Sequence, residues 1–247
     1  MEKNTSRIKT RKFGVRRAST RKHMKKLYEG MTGYGVNTAG YDPKFAVTYG
    51  EIVEDGFEKL LRGLNDIQDI SSYPPERRTF YDLGSGIGKT VYAVASLMPE
   101  IKTKGIEMVK DRHNVAMVAY NNIQNELIKK RIEFINASLF DINLSDAAWI
   151  FISNLCFKDE TNQEIGEKLA KELAPNSIVA VSKSIPFPPD TFIMIKRCDV
   201  PMTWDANHQL YMYKKLETPT PAVTLSSESY TSLVLPKVDP PIGHSPY

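Results

Sequence analysis

From residue 79 onward, short apolar runs alternate with longer stretches in which apolar residues recur every three or four positions. The short runs predict strands at Thr79–Leu83, Thr103–Glu107, Glu133–Asn136, Trp149–Ser153, Ser177–Ser182 and Thr191–Lys196. Helical periods lie between them: Val91, Val94, Ala95 and Met98; then Ala116, Tyr120, Ile123 and Leu127; then Ile165, Leu169 and Leu173. Upstream, Val53, Phe57, Leu60, Leu61 and Leu64 share one face of a helix expected to begin at Glu51. Strands and helices alternating at this length predict a mostly parallel sheet covered on both faces. A last strand, Gln209–Lys215, follows its predecessor with no helix between, which predicts an antiparallel pair. The expected fold class is α/β, with a seven-stranded Rossmann-like sheet, mostly parallel and with an antiparallel last strand.

Charge divides the chain differently. Residues 1–27 hold eleven Lys/Arg against Glu2, while the rest of the chain is mildly acidic. So basic a segment with few apolar residues is expected to stay a disordered arm. Residues 28–78, with glycines from Gly30 to Gly40, read as a loop and helix region covering the core at 79–216. Residues 217–247 carry six prolines and many Ser/Thr and read as a tail. No apolar run reaches the roughly 18 residues of a membrane span, so no membrane partner is expected. Cys156 and Cys198 are far apart, and His23, His113, His208 and His244 lack ligand spacing, so neither a disulfide nor a metal is expected.

The stretch Phe80-Tyr81-Asp82-Leu83-Gly84-Ser85-Gly86-Ile87-Gly88-Lys89-Thr90 leads a strand through a glycine turn into a helix. Such a turn lets a ligand approach the backbone, and the helix N-terminus offers free N–H groups. A dinucleotide fingerprint needs a glycine where Lys89 stands. A phosphate-binding loop needs one at Leu83, and the later strand ends at Asn154 rather than at a magnesium-binding Asp. The third reading, an acid followed by GxGxG, fits S-adenosyl-L-methionine (SAM), whose cationic end tolerates a carboxylate where a pyrophosphate would be repelled. Glu107, 25 residues after Asp82, ends the next strand, where a carboxylate accepts from both ribose hydroxyls.

Three further pieces narrow this reading: Tyr49-Gly50-Glu51 upstream, Asn154-Leu155-Cys156-Phe157 after the fourth strand, and Trp204 seven residues before Tyr211. In this order, over roughly Asp42 to Leu216, the chain resembles the non-SET histone lysine methyltransferases of the disruptor-of-telomeric-silencing type. The resemblance implies a SAM-dependent protein lysine N-methyltransferase acting on histone H3 or another chromatin-like target. It implies that Tyr49 and Glu51 cover the cofactor, and that Asp82, Gly84, Ser85, Gly86, Gly88 and Glu107 bind it. Ser138 and Leu139 take the adenine position, although Ala137-Ser138-Leu139-Phe140 replaces the family's Gly-Asp-Phe element. Asn154, Tyr211 and Tyr49 are implied at the catalytic centre, with Asn154 also beside the methionine portion and Tyr211 lining the lysine channel. Ile52 and Lys89 depart from the family's usual hydroxyl and neutral residues. As plain packing, Tyr49 and Tyr211 would be core or rim aromatics and Asn154 a turn cap.

The basic arm is expected to meet nucleic-acid phosphate, with a histone or nucleosome as partner and a nuclear location. Import signalling, a mitochondrial presequence and a solvated arm are its other readings. An RNA, DNA or non-histone protein methyltransferase and a catalytically silent nucleic-acid-binding module remain alternatives. The [ND]-P-P-[YF] motif of amino-directed nucleic-acid methyltransferases is replaced by Ser153-Asn154-Leu155-Cys156.

Overall fold

The computed structural model describes residues 18–41, 48–53 and 55–217. Seven strands form one sheet: β1 Thr79–Leu83, β2 Lys102–Ile106, β3 Ile132–Ile135, β4 Ala147–Ile152, β5 Ile178–Val181, β6 Phe192–Asp199 and β7 Gln209–Lys215. Their spatial order is β3-β2-β1-β4-β5-β7-β6. The first five pair in parallel, and β7 runs antiparallel to both β5 and β6. The expected fold class and all seven strands are found, β1 and β7 with the expected bounds and the other five with ends moved by one to three residues.

The order of strands decides where a ligand can bind. Successive connections leave β1 in one direction, to β2 and β3, and then return past it to β4 and β5. Such a reversal opens a crevice at the carboxyl ends of the strands around β1. Every residue of β1 and β4 is buried, as expected for central strands covered on both faces.

The two faces are covered unequally. On one, Phe80 and Phe151 meet α2 (Gly56–Ile67) and α3 (Lys89–Leu97). On the other, Tyr81, Leu83, Ile150 and Ile152 meet Ile165, Leu169 and Leu173 around α6 (Asp159–Glu172). A register shift between β1 and β4 beside Ala148 sends both Ala148 and Trp149 to the first face. The expected period over 116–127 is broken: α4 (Lys110–Asn121) ends at Asn122, and Asn125 caps the short α5 (Glu126–Lys129), on which Leu127 is exposed.

Two expectations need correction. Residues 18–27, assigned to the disordered arm, form a helix, α1. Met24 and Tyr28 are buried there, and the Tyr28 ring meets Tyr92 of α3 edge-on at 6.3 Å. A few buried contacts against a preformed helix suffice where the isolated segment would not fold. Residues 1–17 and 218–247, the remainder of the expected arm and nearly all of the tail, lie outside the described residues. The helix expected from Glu51 begins at Gly56, after Asp55, and Val53 is exposed outside it. The freed segment 48–53 instead lies over the carboxyl edge of the sheet. Among the described residues, no helix is long and apolar enough to cross a membrane.

Candidate active site

At the end of β1 the chain turns through Gly84, Gly86 and Gly88 with φ of 94°, 55° and 87°. These left-handed conformations strain any residue with a Cβ. The turn is tied to β2: Gly84 N and Ser85 N donate to Ile106 O at 2.8 and 3.0 Å. Glu107 fastens it from the side, one carboxylate oxygen accepting from Gly86 N and the other from Val109 N, each at 2.8 Å. Gly88 closes the turn, donating to Ser85 O, and serves as the N-cap of α3. The Phe134 ring leaves no room for a Cβ at Gly88.

Asp82 and Glu107 are both buried. Burial pushes the Asp82 carboxyl up to about 7; a hydrogen bond from Thr90 pulls it down, and the nearby Glu107 charge raises it. Burial also raises Glu107, opposed by its two backbone donors and by Arg112. Two buried acids around a glycine turn make a site that gains from a cation. The Ser85 hydroxyl is buried beside them with no hydrogen-bond partner among the described residues.

Segment 48–53 roofs this turn. The Tyr49 ring lies across Gly86 and Gly33, leaving no room for a Cβ at either. It meets Tyr34 edge-on at 4.9 Å, and the Arg112 guanidinium sits 4.8 Å from its centroid. Its hydroxyl donates to Glu51, whose other oxygen accepts from Lys89 Nζ at 2.6 Å. Burial, then the Glu51 charge, push the Tyr49 phenol far above its ordinary range. The roof is strapped to the turn after β6. Thr203 N donates to Glu51 O at 2.8 Å, and Thr203 Oγ1 accepts from Glu51 N and from Tyr34. Ile52 bridges Met202, and the Trp204 ring covers Gly50.

Two adjoining hollows remain beneath the roof. One, of about 70 Å³, is lined by residues including Tyr49, Glu107, Arg112, Ser138, Leu139 and Phe157. The other, of about 20 Å³, is lined by residues including Glu51, Asp82, Ser85, Gly86, Lys89 and Thr90. Such volumes hold a few waters.

Tyr49, Glu51, Asp82, Gly84, Ser85, Gly86, Glu107, Ser138 and Leu139 are thus brought to a cleft made of the two hollows, with Glu107, Ser138 and Leu139 in the larger, Glu51, Asp82, Ser85 and Gly86 in the smaller, and Tyr49 and Gly84 in both. Gly88, Asn154 and Tyr211 do not line it. Asn154 is fully buried beyond the cleft-lining Ser153, its amide donating to Asn162 and Lys183 O and accepting from Lys183 N. Tyr211 pairs with Val181 at the carboxyl end of β5, on the layer that also carries Leu139 and Phe157, with Arg197 5.1 Å from its ring centroid. Arg112 has no signal in the sequence, and Thr90 and Thr203 stand out there only as neighbours of the glycine turn and of Trp204. Arg112 is buried, lines the cleft, and donates from Nε to Gly33 O at 3.1 Å. No local pattern distinguishes it from any other helical arginine.

The family model for histone methylation protein DOT1 matches residues 36–204. A protein-lysine N-methyltransferase of Saccharolobus islandicus is 25% identical over 122 residues, which are 49% of this chain and 70% of that protein. The Candida albicans histone-lysine N-methyltransferase specific for H3 lysine-79 is 25% identical over 211 residues, 74% of this chain but 15% of that protein. Among solved structures, an RNA methyltransferase from Salinibacter ruber in complex with S-adenosyl-L-homocysteine is similar at 21% identity and a TM-score of 0.46, over 64% of this chain and 92% of that one. TrmN from Thermus thermophilus is similar at 17% and 0.48, over 65% and 52%. The family model spans more than half of the sequence, including the roof segment, the glycine turn and Glu107, and the chain therefore belongs to the histone methylation protein DOT1 family.

Proposed function

We propose that the protein is a SAM-dependent methyltransferase that methylates the side-chain amine of a protein lysine, on histone H3 or another chromatin-bound target. The observation that carries this reading is that Asp82 and Glu107 flank the same glycine turn, each lining one of the two adjoining hollows, with Glu107 accepting from Gly86 N and its charge acting on Asp82. The residues present fit the cofactor. Buried carboxylates suit a cationic amino-acid end and ribose hydroxyls, and the glycine turn gives close backbone access. The partnerless Ser85 hydroxyl offers a further polar contact.

When bound, SAM supplies a methyl group on a sulfonium, transferred by in-line displacement. The protein's work is then to position the amine and exclude water. Asp82, Ser85, Gly84 and Gly86 hold the amino-acid end, Glu107 the ribose, and Ser138 and Leu139 the adenine. Gly88 and Asn154 keep the turn and the end of β4 in place around the methionine portion. Tyr49 and Glu51 close over them, with Lys89 neutralising Glu51.

A lysine amine has a solution pKa of about 10.4, so removing its proton near pH 7.4 costs about 4 kcal/mol. Desolvation beside a cation lowers that cost. Phe157, Trp204 and Tyr211, at the carboxyl edge of the sheet, provide the apolar surroundings, and the mechanism uses no dedicated base. Residues 1–27 contact nucleic-acid phosphate and favour a nuclear location.

Labelled SAM offered in parallel to nucleosomes, free histones, RNA and cell lysate tests the proposal. Label on a histone lysine is the expected result. Transfer to RNA alone would overturn the substrate, and no cofactor uptake by folded protein would overturn the chemistry.

A further inference from the structure

A groove of about 900 Å³ lies away from the cofactor cleft, between α1, the far half of α3 and the α4–α5 turn. Ser19, Thr20, His23 and Lys26 form one wall, and Asn122, Gln124 and Asn125 are among the residues facing them. Among the described residues no Asp or Glu lines it. Residues 18–27 carry four Lys/Arg and no acid, and residues 121–131 carry three Lys/Arg against Glu126. Arg21 is occupied on the other side of α1, by Asp55 and Glu58 of the α2 region. Lys22, Lys25 and Lys26 are exposed. Arg131 belongs to the scaffold, its guanidinium donating to Ala95 O, Met98 O and Ile101 O at the end of α3.

We propose that this groove binds the sugar-phosphate backbone of duplex DNA. Cations, hydroxyls and amides are the groups that contact phosphate and sugar. Single-strand sites instead stack bases on open aromatic rings; of the two rings in the wall Tyr92 is buried, and the exposed His23 imidazole is hydrogen-bonded to Ser19 O. Ten residues of helix span about 15 Å, the axial reach of roughly four phosphates on one strand. Buried Met24 and, just after the helix, Tyr28 dock α1, which fixes the backbone from which Lys22, Lys25 and Lys26 project, Lys26 into the groove. The inference rests on the proposed chromatin-directed reading, in which residues 1–27 meet nucleic-acid phosphate, and extends that contact to the groove between α1 and the α4–α5 turn.

The test measures binding of the full chain, without cofactor, to a mixed-sequence DNA duplex and to single-stranded RNA of equal length, between about 50 and 200 mM salt. Lys26→Gln with Gln124→Glu changes two exposed groove positions; an unchanged melting midpoint shows that it folds, and Lys130→Gln is a second, single-site variant at the border. The double variant is expected to weaken duplex binding about tenfold and to lower the salt slope by about 1–2, with cofactor affinity unchanged. An unaltered affinity and slope would overturn the proposal. So would tighter binding to the RNA, or losses seen only on removing residues 1–17. The readout is DNA binding alone, so failure of methyl transfer would leave it untouched.

Discussion

The Tyr49 ring fills the space that a Cβ on Gly86 would take, and Gly86 also donates its N–H to Glu107. Roof, glycine turn and Glu107 thereby meet at a single residue. Gly86→Ala meets two obstacles, a left-handed φ of 55° and the ring above it. Strain of this kind costs about 1–3 kcal/mol. The variant is expected to lose cofactor affinity by roughly tenfold or more, read by calorimetry, with the fold retained by circular dichroism. Wild-type affinity would refute this arrangement.

Thr203 holds the roof through both its hydroxyl and its backbone. Thr203→Val keeps the shape and the backbone bond but leaves Glu51 N and the Tyr34 hydroxyl without their acceptor. Both bonds are exposed, so water can replace the lost acceptor and the cost is about 0.5–1.5 kcal/mol. Faster hydrogen exchange in segment 48–53 is expected, together with faster release of cofactor. An exchange rate equal to wild type would show that the strap bears no load.

Asp82 has a folded-state pKa of about 7, above its ordinary value of 3.8. Without ligand, the folded protein keeps a proton that the unfolded chain releases, so this group's contribution to stability falls as pH rises from about 4 to about 7. A cationic ligand prefers the ionised carboxylate, so cofactor affinity should rise by up to about tenfold between pH 6 and pH 8. Asp82→Asn should flatten that profile, lower affinity above pH 7, and raise the melting midpoint of the free protein there. A profile that keeps its slope in Asp82→Asn would assign the titration elsewhere.

Met24 is buried beneath α1. Truncating a buried methionine costs about 2–5 kcal/mol, and each kcal/mol shifts the melting midpoint of a domain this size by about 2–4 °C. Met24→Ala is therefore expected to lower the midpoint by at least about 5 °C. A shift below about 1 °C would mean that α1 does not dock.

Tyr211 is assigned to the surroundings of the lysine amine rather than to the cofactor. Tyr211→Ala should cut kcat much more than it weakens cofactor binding. Equal loss of both would count against desolvation as its role.

The strand and helix periods and the acid-then-glycine turn were legible because both depend on near neighbours in the chain. Alternation of burial along a strand and a left-handed turn are imposed within a few residues. The roof was legible only as Tyr49-Gly50-Glu51, not as a lid, because the apolar period running through Val53 reads as helix until Ile52 finds Met202 across the fold. Arg112 is likewise unremarkable until Gly33, 79 residues earlier, supplies its acceptor.

The sequence by itself determined the α/β class, the seven strands and the turn that places Asp82 and Glu107 at neighbouring strand ends. Tertiary structure decided that residues 18–27 are a helix, that Thr203 fastens Glu51, and that Asn154 spends its amide inside the fold rather than on the cleft wall. The first set follows from periodicity and local stereochemistry. The second depends on which distant groups meet once water is excluded, and only packing settles that.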